Sequence, residues 1–133
     1  MIQVLLILFS YLTGSIPIGV LLARLKGKDP RKTGSGNIGA TNVMRSAGKK
    51  LGIITLVGDV LKGFIPTFIA MRLGAPEFVI ALVGLAVFLG HLFPVFLKFK
   101  GGKGVATGAG VFLAINYPVI LISFIIFLLI YLI

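Results

Sequence analysis

Apolar and polar residues fall in long blocks along this chain, with little of the alternation that marks a half-buried strand or an amphipathic helix. Residues 2–23 are almost wholly apolar, and as a helix they reach about 33 Å, enough to cross a hydrocarbon core of roughly 30 Å. Gly14, Pro17 and Gly19 interrupt this block, which a membrane helix tolerates better than a soluble one. A polar stretch over 24–50 follows, then a second apolar block at 51–71 containing Gly52, Gly58, Gly63 and Pro66. A turn at 72–76 leads to a third block at 77–96, and a glycine-rich basic stretch occupies 97–104. Residues 105–133 carry no charge. One helix of that length would measure about 44 Å, too long for an untilted crossing. Asn116-Tyr117-Pro118 offers a break, which predicts a short segment at 102–115 and another at 118–133, with a single tilted helix as the alternative. The predicted fold is an all-α polytopic membrane bundle with about five segments.

Charge sharpens this picture. The chain is 58% hydrophobic with a formal net charge of +10. In a soluble domain such a charge would point to nucleic acid. Here the charged residues cluster between apolar blocks, so no nucleic-acid partner is expected and the membrane reading stands. Eight Lys/Arg lie in 24–50 and three (Lys98, Lys100, Lys103) in 97–104, against one, Arg72, in the turn. Two crossings separate the basic stretches, so the positive-inside rule puts both in the cytoplasm and the N-terminus outside. The turn near Asn116 would be external and Ile133 would return to the cytoplasmic face. The final apolar run ends without polar anchors, which predicts that residues 1–133, a single membrane domain, are the N-terminal portion of a longer chain. The first block lacks a basic leader and a clear cleavage site, so it reads as a retained span. No cysteine is present and His91 is the only histidine. A disulfide scaffold, a thiolate nucleophile and a multi-histidine metal site are thereby excluded, and no metal or cofactor is expected.

Two stretches could carry chemistry. Residues 34–45 read GSGNIGATNVMR. The formal G-x-G-x-x-G there lacks the preceding strand of a dinucleotide fold. Its small residues nevertheless allow close backbone approach, and Ser35, Asn37, Thr41 and Asn42 supply neutral polar groups near Arg45. That combination suits a phosphate, although a self-satisfied connecting loop has the same composition. Residues 90–107 read GHLFPVFLKFKGGKGVAT. The pattern is not a Walker A sequence, because Gly104 follows Lys103. Free N–H groups at the following helix start, with Lys103, would still form an anion site. Lys98 and Lys100 fit a headgroup anchor equally well. His91 could orient a phosphate, serve as an acid–base group or simply pack between helices. Asp59 and Lys62 share one helical face within a span, and either pair with each other or face a polar cavity.

These motifs, with Asp59, Lys62-Gly63 and the early Gly14-Ser15-Ile16-Pro17, closely resemble the bacterial integral-membrane acyl-phosphate:glycerol-3-phosphate acyltransferases, over all 133 residues in order. The resemblance implies seven membrane helices, an external N-terminus and a cytoplasmic-side active site in the bacterial cell membrane. It implies transfer of a fatty acyl group from long-chain acyl-phosphate to the sn-1 hydroxyl of glycerol 3-phosphate, giving lysophosphatidate and phosphate. Carried over residue by residue, Ser35, His91 and Lys103 would be catalytic. Gly36, Asn37, Thr41, Asn42, Arg45, Lys62, Gly101, Gly102, Gly104 and Thr107 would bind substrate, with Ser35 and Arg45 on the glycerol-phosphate side and the 101–104 loop on the acyl-phosphate side. The family's third motif, near its C-terminus, is not found within these 133 residues. Besides the two substrates, membrane lipids are the expected partners, and a monomer is expected.

The residue types suit that reaction. An acyl phosphate is a mixed anhydride with a good leaving group, so positioning the hydroxyl and stabilising negative charge can suffice. Two phosphates brought together repel, which gives basic loops a purpose. The His-x4-Asp pattern of other acyltransferases is absent, since Val95 and Phe96 follow His91 at four and five residues. The general base stays open between His91 and a substrate phosphate. A transporter of a phosphorylated metabolite is the competing function, and a non-catalytic membrane scaffold the third.

Overall fold

The computed structural model describes residues 1–132, and every regular element in it is helical. The helices are α1 (Ile2–Ser15), α2 (Ile18–Arg24), α3 (Ala40–Ala47), α4 (Lys49–Arg72), α5 (Glu77–Leu92), α6 (Val105–Ile115) and α7 (Tyr117–Leu132), with single 3-10 turns at Pro30–Lys32 and Val95–Leu97. The expectation for Ile133 concerns a residue outside the described range. Three stretches are long and apolar enough to cross a membrane: Ile2–Arg24, Lys49–Arg72 and Glu77–Leu97. With the shorter apolar helices α6 and α7, they make an all-α polytopic membrane bundle. At 11 residues, α6 reaches only about 17 Å, short of a full crossing.

Local chemistry accounts for the departures from the hydropathy pattern. The first span is broken, because Ile16 takes an extended conformation before Pro17 and α2 restarts at Ile18. The basic stretch contains α3, whose Val43 and Ala47, one turn apart, bury against Ala23 and Leu51. Helix α6 starts at Val105 and not at 102, since Gly104 is left-handed with φ 78°. Asn116 ends α6, and its side-chain oxygen accepts from Val119 N–H at 3.3 Å. The last break is thus an asparagine cap, with Pro118 inside the first turn of α7.

Glycine brings the helices together. A Cβ at Gly14 would strike the Val87 carbonyl, one at Gly63 the Thr107 carbonyl, and one at Gly110 the Val60 carbonyl. These are the small-residue contacts that let membrane helices gain van der Waals packing where no hydrophobic force acts between them. Large apolar side chains such as Leu5, Phe9, Ile53, Leu85 and Phe112 remain exposed, as lipid-facing positions should. Along α4, Lys62 meets Ile16, Gly58 meets Ile18, and Thr55 meets Gly19. The α1–α2 span therefore runs antiparallel to α4, and Arg24 lies toward the Lys49 end. Arg24 and Arg31 line one groove with Phe96 and Leu97, so both basic stretches sit at the same end of the bundle.

Candidate active site

The first loop is organised around one buried side chain. Asn42, 2% exposed, points its amide nitrogen at the carbonyls of Pro30, Thr33 and Asn37 at 2.7, 3.0 and 2.8 Å. Its oxygen accepts the Ser35 N–H at 3.1 Å. Asn37 in turn accepts the Gly39 N–H at 2.8 Å. Gly34 and Gly36 take positive φ values of 60° and 72°, so the loop can curl around Asn42 without a Cβ clash. Asp29 starts the preceding turn, accepting from the Arg31 backbone and guanidinium. That guanidinium holds the Asp29 carboxyl down to about 2.

What the loop presents outward is different. Ser35, Gly36, Thr41 and Arg45 are exposed, and the Ser35 hydroxyl and Arg45 guanidinium have no partner among the described residues. Helix α3 has no side-chain cap, and the N–H groups of Ala40 and Thr41 find no acceptor among the described residues. Free N–H groups at a helix start attract an anion, and Arg45, in the last turn of the same short helix, adds an exposed positive charge.

The second loop repeats this chemistry with different parts. Gly101 N–H donates to the Leu92 carbonyl and Gly102 N–H to the His91 carbonyl, both at 3.1 Å. The chain thereby folds back over the end of α5 and satisfies its last carbonyls. A Cβ at Gly101 would strike the His91 carbonyl, and one at Gly102 the His91 Nε2. Lys98 and Phe99 lead into this loop with φ values of 53° and 62°, a left-handed pair that costs about 1–2 kcal/mol per residue. Beyond it α6 begins without a side-chain cap, its Val105 and Ala106 N–H groups without an acceptor among the described residues, next to exposed Lys103.

Behind the loops lies a buried polar network. Lys62 Nζ sits 3.0 Å from Asp59 Oδ1 and donates to the Ile16 carbonyl at 3.0 Å. That carbonyl also accepts the Ile18 N–H at 3.0 Å, so Lys62 adds a second bond to the backbone at the Pro17 break. Asp59 Oδ1 is 3.7 Å from His91 Nδ1, which shares a 3.1 Å hydrogen bond with the Thr107 hydroxyl. Asp59, Lys62 and His91 are all 5% exposed or less, and Thr107 is fully buried. Charges this deep persist only when paired.

The expected site residues therefore divide. Ser35, Gly36, Thr41, Arg45 and Lys103 face outward, while Asn37, Gly101 and Gly102 are partly buried. Lys62, Asn42, His91 and Thr107 are buried with polar atoms engaged by protein, and Gly104 is buried against Phe88 and Leu92. The sequence reading missed the Ile16 carbonyl and the Tyr11 hydroxyl, which donates to the Phe93 carbonyl at 2.8 Å. The Pro17 break signalled the first, and nothing local signalled the second.

Comparison with known proteins adds to this geometry. The glycerol-3-phosphate acyltransferase family model matches residues 4–133. The glycerol-3-phosphate acyltransferase of Geotalea daltonii is 60% identical over 114 residues, which cover 86% of this chain and 59% of the relative. That of Geobacter metallireducens is 59% identical over 122 residues, 92% of this chain and 63% of the relative. The crystal structure of PlsY (YgiH), an integral membrane glycerol 3-phosphate acyltransferase, in its glycerol 3-phosphate form, superposes with a TM-score of 0.94 at 50% identity. The match covers 99% of this chain and 66% of that one. The lysophosphatidic acid form gives 0.91 at 48% identity, with the same coverage. The chain thus spans about 60% of the length of the curated relatives it matches.

Proposed function

The chain belongs to the glycerol-3-phosphate acyltransferase family, and from that premise we propose that it acts in transferring a fatty acyl group from acyl-phosphate to the sn-1 hydroxyl of glycerol 3-phosphate. The products are lysophosphatidate and inorganic phosphate. The observation that carries this reading is the pair of uncapped helix starts, that of α3, whose last turn carries exposed Arg45, and that of α6, just after exposed Lys103, in basic stretches at one end of the bundle. A reaction joining two phosphate-bearing substrates needs two such anion sites.

In this mechanism Arg45 and the α3 start hold the phosphate of glycerol 3-phosphate, with Gly36, Asn37 and Thr41 shaping the loop around it. The unpartnered Ser35 hydroxyl orients the attacking hydroxyl. Lys103 and the α6 start, which Gly101, Gly102 and Gly104 let the chain reach, hold the phosphate of the acyl donor. The substrate oxygen attacks the acyl carbon, the carbon–oxygen bond to phosphate breaks, and the departing phosphate takes the hydroxyl proton. Proximity and charge stabilisation supply the acceleration. His91, Thr107, Asn42 and Lys62 act one layer back, fixing the loops in place. Residues 1–133 form one membrane domain, N-terminus outside, with cytoplasmic loops about 24–50 and 97–104 and the site on the cytoplasmic side. Five of seven membrane segments fall in this stretch, and the protein works as a monomer.

Full-length protein given both substrates should release phosphate and form lysophosphatidate, and should do neither when glycerol 3-phosphate is omitted. Transport of a phosphorylated metabolite without product formation overturns the assignment. Arg45→Lys keeps the charge but loses the planar fork. A loss near 3 kcal/mol, roughly 150-fold, is expected mainly in glycerol 3-phosphate dependence, whereas Lys28→Ala should change little. Unaltered KM and kcat for Arg45→Lys would remove Arg45 from the site. For orientation, cysteines placed singly at 28, 72 and 100 should be labelled from outside intact cells only at 72.

A further inference from the structure

A groove beside the break at Ile16–Pro17 is lined by none of the residues assigned above to acyl transfer. It has a volume of about 420 Å³ and lies between α2, the Arg31 turn and the Val95–Leu97 turn. Ile16, Leu21 and Phe96 form apolar walls and are themselves 40%, 49% and 60% exposed, so the groove opens sideways onto the lipid-facing surface. Its mouth is cationic. Arg24 is the last residue of a 23-residue span, about 35 Å along, which sets it at headgroup depth. Arg24 has no hydrogen bond or ion pair among the described residues. Arg31 is only partly spent, since its Nε and Nη2 engage Asp29 while Nη1 has no partner.

An apolar slot open to the bilayer, headed by one free and one half-free guanidinium, matches an amphiphile with a negative head. We propose that this groove binds an anionic membrane phospholipid, its phosphate on Arg24 and Arg31 and one acyl chain along Leu21 and Phe96. The charge excess of two arginines over one aspartate favours an anionic over a zwitterionic headgroup. Arginine also matches phosphate oxygens bidentately. A free phosphate would leave the apolar walls unused. The groove shares no lining residue with those assigned to acyl transfer, so its failure would leave that reading untouched.

The test measures thermal unfolding and lipid retention by native mass spectrometry on delipidated full-length protein. The probes are phosphatidylglycerol, phosphatidylcholine and inorganic phosphate at matched concentrations. Phosphatidylglycerol should raise the unfolding temperature and stay bound, and the other two should not. Arg24→Gln should weaken phosphatidylglycerol binding about five-fold, the ordinary worth of one arginine at an anionic surface. Leu21→Asn, which leaves every charge in place, should weaken it as well. Lys28→Gln, outside the groove, should keep it within two-fold. Equal binding of the two lipids, equal losses in Arg24→Gln and Lys28→Gln, or full protection by phosphate alone would each overturn the proposal.

Discussion

Replacing Lys62 by methionine keeps the volume of the side chain and removes its charge. Asp59 would then be left 5% exposed inside an apolar bundle without its 3.0 Å counter-ion, and the Ile16 carbonyl would keep only the Ile18 N–H as donor. Removing one partner of a buried pair costs about 3–5 kcal/mol, because the orphaned charge stays desolvated. Asp59→Asn strands the ammonium in the same way and should cost a similar amount. The double variant strands neither charge. It should therefore be well above the sum of the singles, with a coupling free energy of about 2–3 kcal/mol. Unfolding free energies of the four proteins in mixed detergent micelles close the cycle. Additive losses, or a Lys62→Met variant within 1 kcal/mol of the parent, would refute the view that the pair holds the Ile16 break against α4. Turnover adds a second readout. If Lys62 only supports the architecture, the double variant regains activity together with stability. If Lys62 touches substrate, stability returns and activity does not.

Asn42→Ala removes the group that gathers three carbonyls and one N–H of the first loop. It should cost about 2–4 kcal/mol and raise the KM for glycerol 3-phosphate, and hydrogen exchange across 33–39 should quicken. Normal exchange there would mean that the loop holds itself without Asn42. Gly102→Ala places a methyl group on His91 Nε2. Overpacking of this kind costs about 1–3 kcal/mol, and turnover should fall at least ten-fold. His91→Ala in the same chain should restore part of the lost stability, and the absence of any relief would separate the loop from the histidine.

The parts of this molecule that were readable in advance are those that a bilayer dictates. A crossing needs some 20 apolar residues, so the blocks at 2–23, 51–71 and 77–96 announce themselves. Helix α3 does not, because eight residues in a charged stretch bury only Asn42, Val43 and Ala47. Hydropathy is likewise blind to the Pro17 break, since Ile16 and Pro17 are as apolar in an extended backbone as in a helix. The i,i+3 spacing of Asp59 and Lys62 makes their pairing legible, whereas His91 and Thr107 meet only because the glycines fold the chain back across α5.

The direction of a polar side chain is the harder quantity to read from sequence. Asn42 and Thr41 are adjacent, neutral and polar, and composition treats them alike. One is 2% exposed and the other faces outward. In an apolar bundle, any polar group that turns inward must find a protein partner or lose several kcal/mol. Asn42, Asp59, Lys62, His91 and Thr107 have done so, and the same bonds that make them tolerable inside leave them little capacity to hold a ligand. Ser35, Arg45 and Lys103 are exposed to solvent, so under the proposed mechanism a phosphate has only water to displace from them. Under that mechanism, partner satisfaction separates architecture from chemistry among residues that the sequence presents as one polar set.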